Sequence, residues 1–205
     1  MGHFMEFRPL SRTKLVKVGV VLLLSSSLLA YGHVGAPAPL VSAQGAAAIG
    51  QANKQVISII GDQACQSDVN QALKLLDQRA TADYHMVERY IAVIQCVPQG
   101  SGMYAYETKP RFAVGTQERN AGPIWLAGTI VHDATHSELY HQYQAKYPFQ
   151  PVPDDAWGGR AAETTCIAAQ TQALREVGGS QAQIDYLQTT LSTNYWDVPV
   201  ASRTW

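Results

Sequence analysis

The chain is poor in charge, in cysteine and in long apolar runs, and each shortage removes a class of protein. Charged residues make up 15% of its 205 positions, and 15 Lys+Arg against 16 Asp+Glu leave a formal charge of -1. A near-neutral surface gives no electrostatic footing for nucleic acid, so none is expected as a partner. No apolar run reaches the roughly 18 to 20 residues that a bilayer-spanning helix needs, so no stable membrane span is expected. Three cysteines exclude a disulfide-dense scaffold, and no Gly-X-Y or heptad repeat points to collagen or coiled coil. Hydrophobic residues nevertheless reach 46%, enough to bury a core in one globular domain.

Residues 1–43 read as an export leader. Arg8, Arg12, Lys14 and Lys17 precede an apolar and serine stretch at 18–31, and Val41, Ser42 and Ala43 supply the small residues of a cleavage site. The expected cut follows Ala43, leaving an N-terminal segment at 44–64 and a single domain at 65–205 in a secreted or periplasmic protein. Nothing in the pattern indicates an oligomeric state. Export permits disulfides, and Cys65, Cys96 and Cys166 leave one cysteine odd. Ser67 can cap a helix at 68–80 with Val69, Ala72, Leu73 and Leu76 on one face, and a second helical pattern runs over 83–94 through Val87, Ile91 and Ile94. Two helices joined by a short turn lie antiparallel, so Cys65 before the first meets Cys96 after the second. The spacing predicts a Cys65–Cys96 bridge, with two buried thiols as the alternative.

Beyond a Pro/Gly/Ser loop at 97–102, residues 103–107 and 111–116 are rich in Tyr, Phe and Val, which suggests an antiparallel hairpin or edge strand. Pro123 suits the first turn of a helix reaching about Tyr143, and three prolines keep 147–153 non-helical. A further helix is expected over 160–177, ended by Gly178 and Gly179, then a last one from a Ser180 cap to Leu191. The fold class is α+β, mainly α.

His132 and His136 stand four apart on the long helix. That spacing leaves them about 6 Å apart along the axis and 40° around it, so both imidazoles can reach one zinc ion. Asp133 lies on the flank of that face, where a carboxylate can take a proton from an activated water. The plain alternative is a pair of core histidines with Asp133 at the surface. His141 is turned 140° from His136 and points away. Glu163 starts an alanine-rich helical face, with Cys166 and Gln170 following at +3 and +7. An unpaired carboxylate would be costly to bury there, so Glu163 is a candidate third ligand; an exposed glutamate favoured by the helix dipole is the other reading. Tyr140, Tyr186 and Tyr195 are candidate oxyanion donors, each also explicable as packing. Asp154 and Asp155 beside Trp157 read as a solvated turn.

His132, Asp133, Ala134, Thr135 and His136, with the later Glu163, resemble the zincin metallopeptidases, specifically the gluzincin branch, whose pattern is His-Glu-x-x-His with a glutamate ligand on a following helix. The resemblance covers about residues 111–177. It implies a zinc ion held by His132, His136 and Glu163, Asp133 as the water-activating base, and an edge strand that holds a peptide or protein substrate. Asp133 departs from the family's glutamate by one methylene. The implied alternative to a peptidase is therefore an exported metal-binding or interaction module on a peptidase-like scaffold.

Overall fold

The computed structural model describes residues 56–197. The expected leader at 1–43, residues 44–55 and Trp205 lie outside the described residues. Strand β1 (Ser58–Ile60) leads into helix α1 (Gln63–Arg79), and a single residue, Ala80, separates α1 from α2 (Thr81–Tyr90). Strands β2 (Val93–Val97), β3 (Gly102–Tyr104) and β4 (Arg111–Gly115) follow, then the short α3 (Thr116–Asn120) and the long α4 (Pro123–Lys146). One turn of helix, α5 (Asp155–Gly158), precedes α6 (Arg160–Val177) and α7 (Gln181–Thr190), and a 3-10 turn closes the described chain at Tyr195–Asp197. The architecture is mainly helical with one small sheet.

The sheet has the order β1-β2-β4-β3. β1 and β4 flank β2 in parallel, and β3 pairs antiparallel with β4, Met103 opposite Phe112. The expected hairpin is therefore present, with β3 as the edge strand. The parallel pair was not expected. Val87, Ile91 and Ile94 fit a helical period, yet the helix stops at Tyr90 because Ile91 turns extended. The β-branched run Ile91, Val93, Ile94 then gains strand partners on both sides, which outweighs the helical spacing. Ser58–Ile60, expected to precede the domain, belongs to its sheet.

Local chemistry explains several helix ends. Asp62, rather than Ser67, caps α1: its carboxylate accepts a hydrogen bond from the Cys65 backbone N–H at 2.8 Å, as N-cap aspartates do. Ser180 and Gln183 form a reciprocal capping box at α7. Gly178 ends α6 at φ 95°, a left-handed geometry that favours glycine. The Cys65–Cys96 disulfide forms as expected, with Cα atoms 6.1 Å apart. It joins the first turn of α1 to β2 instead of to the end of a second helix. Gly61 makes room for it, since a Cβ there would overlap the Cys65 sulfur.

α4 runs through the middle of the domain and buries every residue from Leu126 to Val131. A helix apolar all round in this way must be covered on several sides, and α1, α2 and α6 all pack on it. The main core joins α1 and α4 to the inner face of the sheet through Val69, Leu76, Ile94, Phe112 and Ile130. At Gly128 α6 packs tightly: an added Cβ would lie 2.9 Å from the Leu174 side chain. This contact sets how near the residues one to two turns further along can come.

Candidate metal centre

One turn beyond Gly128, α4 turns from core to site. His132 and His136 project from one face, with Nε2 atoms 3.0 Å apart. α6 brings Glu163 across to them: its Oε2 is 3.4 Å from His132 Nε2 and 3.5 Å from His136 Nε2. The three expected residues thus form a triangle of donor atoms from two helices. Glu163 is only 3% exposed, so the exposed-glutamate reading is excluded. His141 points away as expected, making a 3.4 Å contact with Gln144 and stacking on Tyr90.

His136 is held by a second contact. Its Nδ1 lies 2.5 Å from the backbone carbonyl of Trp157. A carbonyl can only accept, so Nδ1 carries a proton, which leaves Nε2 as the ring nitrogen that faces Glu163. The Nδ1 of His132 has no hydrogen-bond partner, so its ring is positioned through Nε2 and packing. Tyr195 donates a hydrogen bond from its hydroxyl to Glu163 Oε2. Of the three tyrosines considered, Tyr195 alone reaches the site. Tyr140 packs edge-on against Trp157 and Tyr186 against Trp125.

Burial and charge shift the groups here in opposed ways. Burial raises the Glu163 carboxyl, but hydrogen bonds and charge from His132 and His136 outweigh it and hold the group well below the usual carboxylate range. Burial lowers the His136 imidazole, and contacts with Cys166 and Glu163 overcome that and raise it. Asp133, 7% exposed, is pushed up to about 6, chiefly by burial, with the neighbouring histidines pulling the other way. Burial and the Glu163 charge raise the Tyr195 phenol.

Cys166, one turn along α6 from Glu163, joins the cluster. Its sulfur and the two imidazoles offer ligand atoms that all lie within 4.8 Å of one another, a group that can hold a metal ion. The thiol is buried and raised by that burial. Two sets of donors therefore share His132 and His136, one completed by Glu163 and the other by Cys166. Sequence spacing noted that Cys166 shares a face with Glu163 but did not give it a ligand's role.

The cluster opens into a cleft of about 850 Å³. It is lined by the edge strand from Gly102 to Tyr104, by His132, Asp133 and His136, and by Trp157 and Tyr195. Asp133 thus lines the cavity beside the histidines and is not at the surface. Comparison with family models, curated proteins and solved structures gives no match for this chain.

Proposed function

We propose that this protein is an exported, zinc-dependent hydrolase of the zincin kind, acting on peptide bonds. The triangle of Nε2, Nε2 and Oε2 atoms carries the reading. Ligands about 2.0 to 2.1 Å from a zinc ion at tetrahedral angles lie about 3.3 to 3.4 Å from one another; here the edges are 3.0, 3.4 and 3.5 Å. The donor set, two imidazoles and one carboxylate, is one that zinc accepts with a position left for water. When bound, zinc supplies Lewis-acid activation of a carbonyl and of a water molecule.

The chain's own residues divide the remaining work. His132, His136 and Glu163 would hold the ion, the Trp157 carbonyl keeps a His136 proton on Nδ1, and the Tyr195 hydroxyl fixes the Glu163 carboxylate. Asp133 accepts a proton from the attacking water on its carboxylate and returns it to the leaving amine nitrogen. Strand β3, with no strand on its outer side among the described residues, aligns an extended peptide by adding it to the sheet. The Cys65–Cys96 disulfide suits the oxidising compartment an exported protein enters.

The test is metal analysis of the full chain followed by assay on a mixed peptide substrate. One equivalent of zinc, turnover by the wild type, and its loss in Asp133→Asn with the zinc retained are the expected results. Zinc below a tenth of an equivalent after supplementation would refute the proposal.

Cys166 favours a second reading. A site with four protein donors is closed and structural, and Cys166 beside Glu163 can supply the fourth. The protein would then be an exported metal-binding module without turnover. Cobalt substitution separates the two: a thiolate ligand adds an intense sulfur-to-metal band in the near ultraviolet that disappears in Cys166→Ser, whereas the open site lacks the band.

A further inference from the structure

One corner of the cleft is not used by the mechanism above. Tyr106, just past the edge strand, keeps 60% of its surface exposed, although burying a large ring is normally favourable. It lines the cleft together with Trp157, and the two rings meet edge to face with centroids 6.4 Å apart. Trp157 is held in place from behind by Tyr140, 5.4 Å away and nearly perpendicular. Tyr106 is backed by Tyr104 at 6.1 Å, and the Arg111 guanidinium lies 4.0 Å over the Tyr104 ring. The result is a braced aromatic corner with an open face.

Its position is tied to the metal centre by one backbone atom. The residue whose ring forms the corner, Trp157, is the one whose carbonyl accepts the hydrogen bond from His136 Nδ1–H. The corner and the two histidines line the same cleft. The corner is also the wrong place for a carboxylate. Arg111, the cation in this wall, is engaged by Glu107 through two contacts of 3.0 and 2.6 Å and by Gln95 at 3.2 Å.

Resting on the hydrolase reading, we infer that Tyr106 and Trp157 form a side-chain subsite that selects a large apolar or aromatic residue flanking the scissile bond. A peptide added to β3 alternates its side chains between the two faces of the sheet, so one residue near the cleaved bond turns towards this corner. Its ring or branched chain stacks against Tyr106 and Trp157, burying the exposed face of Tyr106. Tyr106 is the residue to perturb, because Trp157 also positions a ligand.

The experiment uses the full chain loaded with zinc and two peptides identical but for one position, Phe or Gly. The wild type is expected to favour the Phe peptide in kcat/KM, mainly through KM. Removing a ring of this size should cut that preference by roughly tenfold to a hundredfold in Tyr106→Ala, while Tyr106→Phe keeps most of it. A wild type without Phe preference, or a preference unchanged in Tyr106→Ala, overturns the inference and leaves hydrolysis standing. If no peptide is cleaved, the hydrolase reading fails separately, and fluorescence anisotropy of the same two peptides, labelled, decides the subsite. Tighter binding of the Phe peptide that is lost in Tyr106→Ala supports it, and equal binding refutes it.

Discussion

Gly128→Ala gives the sharpest test of how the site is assembled, because its two consequences have opposite signs. In an isolated helix the change is favourable by about 1 kcal/mol. In this protein the new methyl would sit 2.9 Å from both Leu174 Cγ and Cδ2 and 3.2 Å from Gln170 Cγ. Carbon atoms in contact prefer about 3.5 to 4.0 Å, so α6 must retreat by roughly 0.6 Å or more. Leu174 is fully buried and packed with Ile167 and Leu187, so a swing of its side chain would press on them. Overpacking of this kind costs about 1 to 3 kcal/mol, which exceeds the helical gain and leaves a net loss near 1 kcal/mol. In a domain of this size that lowers Tm by about 3 °C. The same retreat pulls Glu163 away from imidazoles now 3.4 and 3.5 Å distant. Zinc affinity, measured by competition with a chelating dye, should fall about tenfold to a hundredfold, the range seen when supports of a metal site are disturbed. A variant with raised Tm and unchanged affinity would refute the argument that the α4–α6 contact sets the donor triangle.

Other outcomes follow from single features. Zinc at a hundredfold excess over its Kd should stabilise the protein by about 2.7 kcal/mol, read as a Tm increase that is absent in the double variant His132→Ala, His136→Ala. The Cys65–Cys96 bridge spans 31 residues, so replacing both cysteines with serine should cost roughly 3 to 4 kcal/mol in urea unfolding; no loss would mean that the unfolded chain is already constrained there. Asp83 has a buried carboxylate oxygen without a partner, and burial, then the Glu176 charge, raises its pKa above the ordinary 3.8. The folded state therefore holds that proton more tightly than the unfolded state, and stability is lost as pH rises through 3.8 to the raised value. Asp83→Asn should accordingly raise Tm at pH 7, with the gain shrinking towards about pH 3; an equal gain at both would exclude ionisation as the cause.

The parts of the fold visible in the sequence are those written in local chemistry. Pro123 marked the start of α4, Gly178 the end of α6 and Ser180 the start of α7, each through a backbone preference that needs no distant partner. The cysteine pair was reached through a second helix running to Ile94, whereas Cys96 lies on β2; the histidine pair was legible because its spacing is itself the geometry. The parallel strands were not. Ser58–Ile60 is too short to show alternation, and Ile91 and Ile94 fit a helix as well as a strand until β1 and β4 supply their partners. The support of the site was hidden for a related reason. The Trp157 group that orients His136 is a backbone carbonyl, which no residue type announces. Tyr195 comes from an aperiodic tail, and its hydroxyl acquires a role only where the chain returns to α6.

All the chemistry-bearing groups of the cluster sit on two helices, His132, Asp133 and His136 on α4 and Glu163 and Cys166 on α6, so the choice between an open and a closed centre is a choice of position along α6. Glu163 lines the cleft, while Cys166, one turn further on, is fully buried. Glu163 would hold an ion beside the cleft that Asp133 and the edge strand also line, whereas Cys166 does not line that cleft. Thiolate ligation also requires loss of a proton from a thiol that burial has raised, whereas the Glu163 carboxylate is already ionised and held in place by the Tyr195 hydroxyl. Both considerations favour the glutamate side, and with it the hydrolytic reading. They also identify Tyr195 as the group that biases the choice: Tyr195→Phe, which removes only the hydroxyl, should shift a cobalt-loaded site towards the sulfur, visible as a charge-transfer band absent from the wild type.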